Sequence, residues 1–266
     1  MENRVIILGA RGSVPVSGER FQRFGCATTC FLVELGGDTV IVDAGTGILN
    51  LPQEVQAETE LNLLLTHAHT DHLAGLAMCP YLFRPGATLH LYAEKRNGTS
   101  ARTYVKRLFS PPLWPVGMEV LPGRIDFHAM PASFQLGAVH VETLEGMHPG
   151  GVSLLRLTGG GSCVVITTDC TITDEQMPVL ADFAKDCDLL MCDGQYSDVE
   201  WEGRSDFGHS TWSAAAKLSR VSGAKETRII HHDPMHTDDE LEAAAAVLSR
   251  KYPNCGFAQE GEVIVL

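Results

Sequence analysis

Four potential metal ligands lie within six residues of the chain, and this cluster constrains the fold more than any other feature. The apolar residues 61–65 predict a strand, and His67, His69, Asp71 and His72 follow it in a loop that leads into a predicted helix. Imidazole and carboxylate groups suit zinc, iron or manganese. The alternating spacing lets His67 and His69 face one ion while Asp71 and His72 face another.

Further ligands must come from distant strand ends, because four ligands cannot complete two metal sites. His148 follows a predicted strand and precedes a tight Pro-Gly-Gly turn. Asp169 ends the run at residues 164–168, where its carboxylate could bridge two cations. His231 ends a later apolar run. Together with the first cluster, these three residues predict a site for two ions.

The last of these histidines has a histidine neighbour, so one of the pair must be chosen. Side chains alternate along a strand, and only one of His231 and His232 can point into the site. His231 is the first residue after the apolar run, so we predict that it is the ligand. His232 is left to line the pocket or to form a hydrogen bond on the outer side.

Short β-rich runs recur along the chain, with helical patterns between several of them. The predicted strands lie near residues 4–9, 29–35, 39–42, 61–65, 138–144, 152–157, 162–167, 187–192 and 227–231. Predicted helices cover residues 98–109, 210–221 and 237–250, and the first could form part of a lid. This order favours one domain over residues 1–266, with two sheets and outer helices.

The charge of the chain bears on its partners. Twenty Lys and Arg residues against 33 Asp and Glu residues give a formal net charge of −13, which repels long nucleic acids. Small anionic substrates are still allowed, because bound divalent cations would reverse the local field. We therefore expect a small-molecule substrate and no long nucleic acid.

The sequence predicts a cytoplasmic protein without a membrane partner. The N-terminal residues lack a cleavable apolar stretch, and no apolar run approaches the roughly 20 residues that cross a bilayer. The eight cysteines form no C-x-x-C pair and are expected to be reduced core residues. The sequence leaves open whether the protein forms a homodimer.

The order of these motifs resembles that of the metallo-β-lactamase superfamily, over about residues 4–235: a strand-end Asp (here Asp43), H-x-H-x-D-H, His, Asp and His. The resemblance implies an α/β fold, a four-layer αββα sandwich of two mixed sheets with outer helices. It implies two divalent ions, with zinc as the favoured metal and manganese or iron as the alternatives. The implied ligands are His67, His69 and His148 for one ion, Asp71, His72 and His231 for the other, and Asp169 bridging both. Asp43 would orient a ligand imidazole.

Three segments resemble the phosphodiesterase branch of that superfamily, which includes tRNA 3′-processing endonucleases and cyclic-phosphate phosphodiesterases. They are His-Pro-Gly-Gly at 148–151, Gly-His-Ser-Thr at 208–211 and His-His-Asp-Pro at 231–234. In the endonucleases the His-Ser-Thr segment works beside Glu-Ala-Thr. This chain has Asp-Gly-Gln-Tyr at 193–196 instead, so we expect the carboxylate partner to be missing. It also lacks a long basic insertion that grips tRNA, which argues against pre-tRNA cleavage.

The resemblance therefore implies hydrolysis of a small phosphodiester, cyclic diesters included. Two ions would lower the pKa of a bridging water and supply the attacking hydroxide. Asp71 would orient that hydroxide, and His209 would donate a hydrogen bond or a proton to the departing oxygen. Ser210 shares the helix entrance with His209, and Thr28 or Thr29 could contact substrate.

Two other functions stay open. A metal hydroxide attacks acyl carbon equally well, so a lactone, thioester or other acyl hydrolase of the same fold is the first alternative. An iron-binding redox protein is the second, although diiron flavoproteins usually have Glu at the place of His69 and lack His72. The remaining histidines are expected to have no part in the site: His90, His128 and His140 lie in strand-like runs, and His236 is expected in solvent.

Overall fold

The computed structural model describes residues 2–266, which form two seven-stranded sheets. The strands are, in chain order, β1 (Arg4–Gly9), β2 (Cys30–Leu35), β3 (Asp38–Val42), β4 (Glu60–Leu64), β5 (Thr88–Ala93), β6 (Arg124–Ala129), β7 (Ser133–Leu136), β8 (Val139–Gly146), β9 (Val152–Gly159), β10 (Ser162–Thr167), β11 (Leu189–Asp193), β12 (Glu226–Ile230), β13 (Cys255–Phe257) and β14 (Val263–Val265). One sheet has the order β14-β1-β2-β3-β4-β5-β6, and the other has the order β13-β12-β11-β10-β9-β8-β7.

Both sheets are mixed, and their parallel strands carry the segments that matter for the site. Strands β3 to β6 run parallel to one another in the first sheet, and β10 to β13 run parallel in the second. The carboxyl ends of neighbouring parallel strands meet at one edge of a sheet, where ligands commonly bind. The loops that follow β3, β4, β10, β11 and β12 are therefore neighbours in space.

The helices lie in the connections between strands. The α-helices are α1 (Gln53–Gln56), α2 (Ala101–Leu108), α3 (Met177–Phe183), α4 (Asp198–Trp201), α5 (Trp212–Ser222) and α6 (Asp238–Leu248). Short 3-10 helices cover Glu19–Phe21, Thr46–Asn50, Thr70–His72, Ala74–Met78, Pro80–Phe83, Met118–Val120 and Ser205–Phe207. Helix α6 begins with a capping box between Thr237 and Glu240, as its sequence predicted.

Alternating side chains of the strands build three apolar layers. In β1, Val5 and Ile7 contact the core between the two sheets, whereas Ile6 and Leu8 face the core under the helices of the first sheet. A third core lies between the second sheet and helices α3, α5 and α6. Burial on both faces explains why the central strands read as nearly continuous apolar runs. The predicted four-layer sandwich is confirmed.

The strand predictions agree with the structure to within two residues at each end. The sequence analysis missed β7, β13 and β14, and for β5 and β6 it noted only strand-like runs around His90 and His128. The helix predicted after His72 was wrong, because the chain forms two short 3-10 helices there, at Ala74–Met78 and Pro80–Phe83. A Cβ on Gly75 would lie 2.1 Å from the carbonyl oxygen of Gly45, so this segment packs directly on the 44–48 loop.

Two further expectations concern cysteines and membranes. All eight cysteines are free thiols, and seven of them are buried, with Cys26 partly exposed. None of the helices in residues 2–266 combines the length and the apolar character that crossing a membrane requires.

Candidate metal centre

The predicted ligands lie at the carboxyl ends of strands from both sheets, and three of these strand ends have an unusual backbone. Asp43, Asp169 and His231 have φ angles of 61°, 47° and 62°, a left-handed conformation that is uncommon outside glycine. The chain turns sharply at each of these residues, directly after its strand. Strained backbone of this kind is concentrated at functional sites.

The first group of potential ligands contains His67, His69, His148 and Asp169, whose donor atoms all lie within 4.8 Å of one another. Nε2 of His148 lies 3.0 Å from Nδ1 of His69. Nε2 of His67 lies 3.6 Å from Oδ2 of Asp169. His69 is exposed, whereas the other three side chains are buried. This group is therefore open to solvent on one side.

The second group contains Asp71, His72, Asp169 and His231, and all four are buried. Nε2 of His231 lies 3.0 Å from Oδ2 of Asp71 and 3.2 Å from Oδ2 of Asp169. Nε2 of His72 lies 3.1 Å from Oδ1 of Asp169. Asp169 belongs to both groups, so its two oxygens reach both places where an ion could lie.

These residues fit divalent cations. Nε2 of His67 and Nε2 of His72 are fully enclosed and make no well-aligned hydrogen bond within residues 2–266. A buried nitrogen without a partner is costly, and a cation between the side chains would give each of these nitrogens one. Imidazole nitrogens with carboxylate oxygens form a donor set that suits zinc.

Three residues of the second group, Asp71, His72 and His231, are held by neighbours outside it. Oδ2 of Asp43 lies 2.7 Å from Nδ1 of His72, and Asp43 in turn accepts a hydrogen bond from the backbone of Thr66 at 2.8 Å. Hydrogen bonds of this kind fix the tautomer and the orientation of a ligating imidazole. This geometry agrees with the role predicted for Asp43.

The sequence analysis missed two other neighbours of the second group. Oε1 of Gln195 lies 2.9 Å from Nδ1 of His231, and the backbone N–H of Ser13 donates to Oδ2 of Asp71 at 2.7 Å. Gln195 lies two residues after the end of β11, and this strand-end position was the one available signal. Nothing in the local pattern marked Ser13.

Glycine is required beside His231. A Cβ on Gly12 would lie 2.3 Å from Nδ1 of His231, much closer than a real side chain comes. The Gly-Ala-Arg-Gly-Ser segment after β1 therefore passes against the imidazole as bare backbone. Substitution of Gly12 would displace either this loop or His231.

His209 lies over the cluster and has a carboxylate partner, so the expectation that this partner was missing is wrong. Nδ1 of His209 lies 2.8 Å from Oδ2 of Asp193, and the imidazole stacks on that of His231 with the ring centres 4.6 Å apart. The ring centre of His148 lies 5.1 Å away. Asp193 is the last residue of β11. Since β11 lies between β10 and β12 in the sheet, its end lies beside the ends of those two strands.

The comparisons with known proteins agree with this geometry. The family described as the beta-lactamase superfamily domain matches residues 38–232, more than half of the chain. The chain belongs to this family. The probable metallo-hydrolase YhfI of Bacillus subtilis is 25% identical over 274 residues, which cover 97% of this chain and 100% of that protein. Ribonuclease Z of Pyrococcus furiosus is 25% identical over 292 residues, which cover 92% of this chain and 91% of that protein.

A solved structure extends the likeness of fold. The crystal structure of a diphosphatase of the PhnP family has a TM-score of 0.71 and 17% sequence identity, and the match covers 99% of this chain and 98% of that one. Membership of the beta-lactamase superfamily and the cluster of histidines and aspartates identify the protein as a metal-dependent hydrolase.

The predicted substrate contacts Thr28 and Thr29 have structural roles instead, and so has Ser210 at the helix entrance. Thr28 and Thr29 are 0% exposed. The hydroxyl of Thr28 accepts a hydrogen bond from the backbone of Thr46 at 2.8 Å, and that of Thr29 donates to the carbonyl of Arg11 at 3.3 Å. Ser210 donates to the carbonyl of Cys170 at 2.5 Å. These hydroxyls hold loops together and do not reach the surface of the site.

His231 and His232 point in opposite directions. His231 lies in the cluster, whereas His232 is 0% exposed and directs Nε2 at the carbonyl of Ala258, 2.8 Å away. His232 therefore does not line the pocket. The expectation for His236 was wrong, because it is 6% exposed and its Nε2 lies 2.9 Å from Glu200. The histidines predicted to lie outside the site, His90, His128 and His140, lie on β5, β6 and β8.

Proposed function

We propose that the protein is a phosphodiesterase that uses two divalent ions to hydrolyse a small phosphodiester, and that these ions are zinc. The proposed ligands are His67, His69 and His148 for one ion, Asp71, His72 and His231 for the other, and Asp169 for both. When bound, the ions stabilise negative charge on the phosphoryl oxygens and lower the pKa of water. The distances within the two groups and their enclosed, unpartnered nitrogens support this assignment.

The observation that carries the proposal is the pair of His209 and Asp193 above the cluster. Since Nδ1 of His209 is bonded to Asp193, Nε2 is the nitrogen left to act on substrate. A carboxylate bonded in this way fixes the tautomer and the orientation of the imidazole. Nε2 of His209 is therefore placed to pass a proton to the departing alkoxide oxygen, which a phosphodiester requires.

Neighbouring backbone holds this pair in place. The backbone N–H of Ser210 donates to Oδ1 of Asp193 at 3.0 Å, and Thr211 caps helix α5 by accepting from the N–H of Ala214. Each oxygen of Asp193 is thus used, one by His209 and one by the main chain. Asp71 is held equally firmly by the N–H of Ser13, which suits the orienting role proposed for it.

The net charge of the chain favours a small ester as the substrate. The net charge of −13 opposes a long polyanion. The relatives include a ribonuclease Z and, in fold, a diphosphatase of the PhnP family, so both RNA and small phosphate compounds occur among the names of similar proteins. The charge leads us to propose the small class for this chain.

The proposal is tested with zinc-loaded protein on four chromogenic substrates: a phosphodiester, the matching phosphomonoester, a lactone and a β-lactam. We expect the diester to have the highest kcat/KM and elemental analysis to give close to two ions per chain. Faster turnover of the lactone by orders of magnitude would make the protein an acyl hydrolase instead. A fully active protein with one ion per chain would contradict the binuclear assignment.

A further inference from the structure

A small cavity beside the cluster has no role in the reaction as described so far. It has a volume of about 240 Å³ and lies against His67 and His69. The Pro-Gly-Gly turn after His148 forms one wall, and residues 96–104 form another. Arg96 and Thr99 exchange two backbone hydrogen bonds, at 3.1 Å and 2.8 Å, which close this second wall as a tight turn. We call this space the ester cavity.

Charge in the wall of the ester cavity is already paired. The guanidinium of Arg96 lies 2.7 Å from a carboxylate oxygen of Glu145 and 3.1 Å from one of Glu94, and it donates to the hydroxyl of Ser153 at 2.8 Å. One cation thus faces two carboxylates. Because its guanidinium is already paired, Arg96 offers no free positive charge to a further phosphate group, so the ester cavity favours an uncharged group.

Tyr104 brings an unused hydroxyl group to the ester cavity. Its ring belongs to helix α2 and packs against the core of the first sheet. Tyr104 is one of the residues that line the cavity, and its hydroxyl makes no hydrogen bond with any atom of residues 2–266. Burial raises the pKa of Tyr104, which keeps the phenol protonated. A fixed ring with a free, neutral O–H is suited to donate one hydrogen bond to a ligand.

We propose that the ester cavity receives the uncharged, hydroxyl-bearing alcohol portion of the phosphodiester, and that Tyr104 determines this specificity by hydrogen bonding to it. The inference rests on the proposed phosphodiesterase function and narrows its substrate class. The volume lies below the roughly 300–1,000 Å³ of typical ligand pockets, so the group is compact, about the size of a glyceryl or sugar unit. A polynucleotide would bring a further phosphate to a wall whose guanidinium, that of Arg96, is already paired with carboxylates.

The test uses two p-nitrophenyl phosphodiesters that share a leaving group and differ in the other ester group, which is methyl in one and 2,3-dihydroxypropyl in the other. We expect the zinc-loaded protein to prefer the dihydroxypropyl ester. Tyr104→Phe should lower kcat/KM for that ester roughly 3- to 10-fold, the worth of one hydrogen bond, and leave the methyl ester within about twofold. Zinc content should not change.

Tyr92→Phe is the matched control, because Tyr92 stacks between His128 and Phe134, away from the cavity. It should keep the wild-type preference. Equal losses on both esters in Tyr104→Phe, or no preference in the wild type, would overturn the specificity role while leaving phosphodiester hydrolysis intact. If the wild type hydrolyses neither diester, the proposed function itself fails and this inference fails with it.

A third diester tests the charge argument separately. It has the same p-nitrophenyl group and a dihydroxypropyl group that carries a phosphate. We expect the wild type to turn it over more slowly than the uncharged ester, and Glu145→Gln to narrow that difference by removing one carboxylate. A wild-type preference for the phosphorylated ester would show that the ester cavity accepts charge and would overturn the neutral assignment.

Discussion

The two halves of the cluster differ in exposure and in charge. We call His67, His69 and His148 the open half, because His67 and His69 border the ester cavity and His69 is exposed. Asp71, His72 and His231, the buried half, are all enclosed. Both halves share Asp169. The open half thus reaches solvent, whereas the buried half is enclosed by protein.

The pKa values of the histidines also differ between the two halves. Burial lowers the pKa of each histidine in the open half. Burial acts in the same direction on His231, but Asp169 and Asp71 outweigh it and raise the pKa of His231 to about 9. Metal must displace protons from such a group. The open half therefore offers neutral imidazoles for coordination, and the buried half concentrates the negative charge that attracts a cation.

The largest effect that tests this comparison comes from removing one histidine from each half. We expect His69→Gly and His231→Gly each to retain about one ion and to lose roughly 10⁴-fold in kcat, because an ion supplies several kcal/mol of transition-state stabilisation. Added free imidazole should restore activity and the second ion in His69→Gly only, since His231 is 1% exposed. Equal rescue of both variants would show that the halves do not differ in access.

His209 touches both halves, and its removal should have the next largest effect. His209→Ala is expected to lower kcat roughly 10²- to 10⁴-fold for a diester with an alkoxide leaving group, because general acid catalysis is worth about that much. The loss should shrink for p-nitrophenolate, and metal content should stay at the wild-type value. Asp193→Asn should show the same dependence on the leaving group with a smaller loss. Loss of metal in His209→Ala would make His209 a ligand instead.

The sequence predicted the seven proposed ligands because they lie in segments that follow recognisable apolar strands. Asp169 follows residues 164–168, and His231 follows residues 227–230. Parallel strands bring such strand ends together even when they are far apart in the chain. This reasoning needs only local patterns and one rule of topology. The set of seven proposed ligands could therefore be read before any coordinates.

The hydrogen-bonding neighbours Asp193, Gln195 and Ser13 could not be predicted in the same way. Asp193 meets His209, and Gln195 meets His231, only because β11 lies between β10 and β12, and strand order is not encoded locally. Ser13 contributes a backbone N–H with φ of 64°, which its side chain does not reveal. Strands β13 and β14 were missed because they have three residues each.

Gln195 tests whether the buried half depends on its hydrogen-bonded neighbours. Gln195→Ala removes the acceptor for Nδ1 of His231, and loss of such a contact typically costs about 10- to 100-fold in metal affinity. We expect competition with a chelator to show this loss for one ion only, the ion of the buried half. Gln195→Glu keeps an acceptor oxygen and should bind both ions. Weaker binding of both ions in Gln195→Ala would mean that the two halves act as one unit.

His232 marks the outer limit of the buried half, and its effect should appear in stability and not in activity. Burial lowers the pKa of His232 to about 3, whereas a histidine in an unfolded chain titrates near 6.5. The unfolded chain therefore takes up a proton first as the pH falls. The contribution of His232 to the free energy of unfolding is fully present above about pH 6.5 and is lost between pH 6.5 and 3.

His232→Gln can still donate to the carbonyl of Ala258 but has no proton to gain. Urea unfolding of both proteins should show the wild type losing about 1–3 kcal/mol more than the variant between pH 7 and pH 4. At pH 8 the zinc content and kcat of the variant should stay within about twofold of wild type. Parallel pH profiles would remove His232 as the cause, and loss of zinc would mean that the buried half extends to His232.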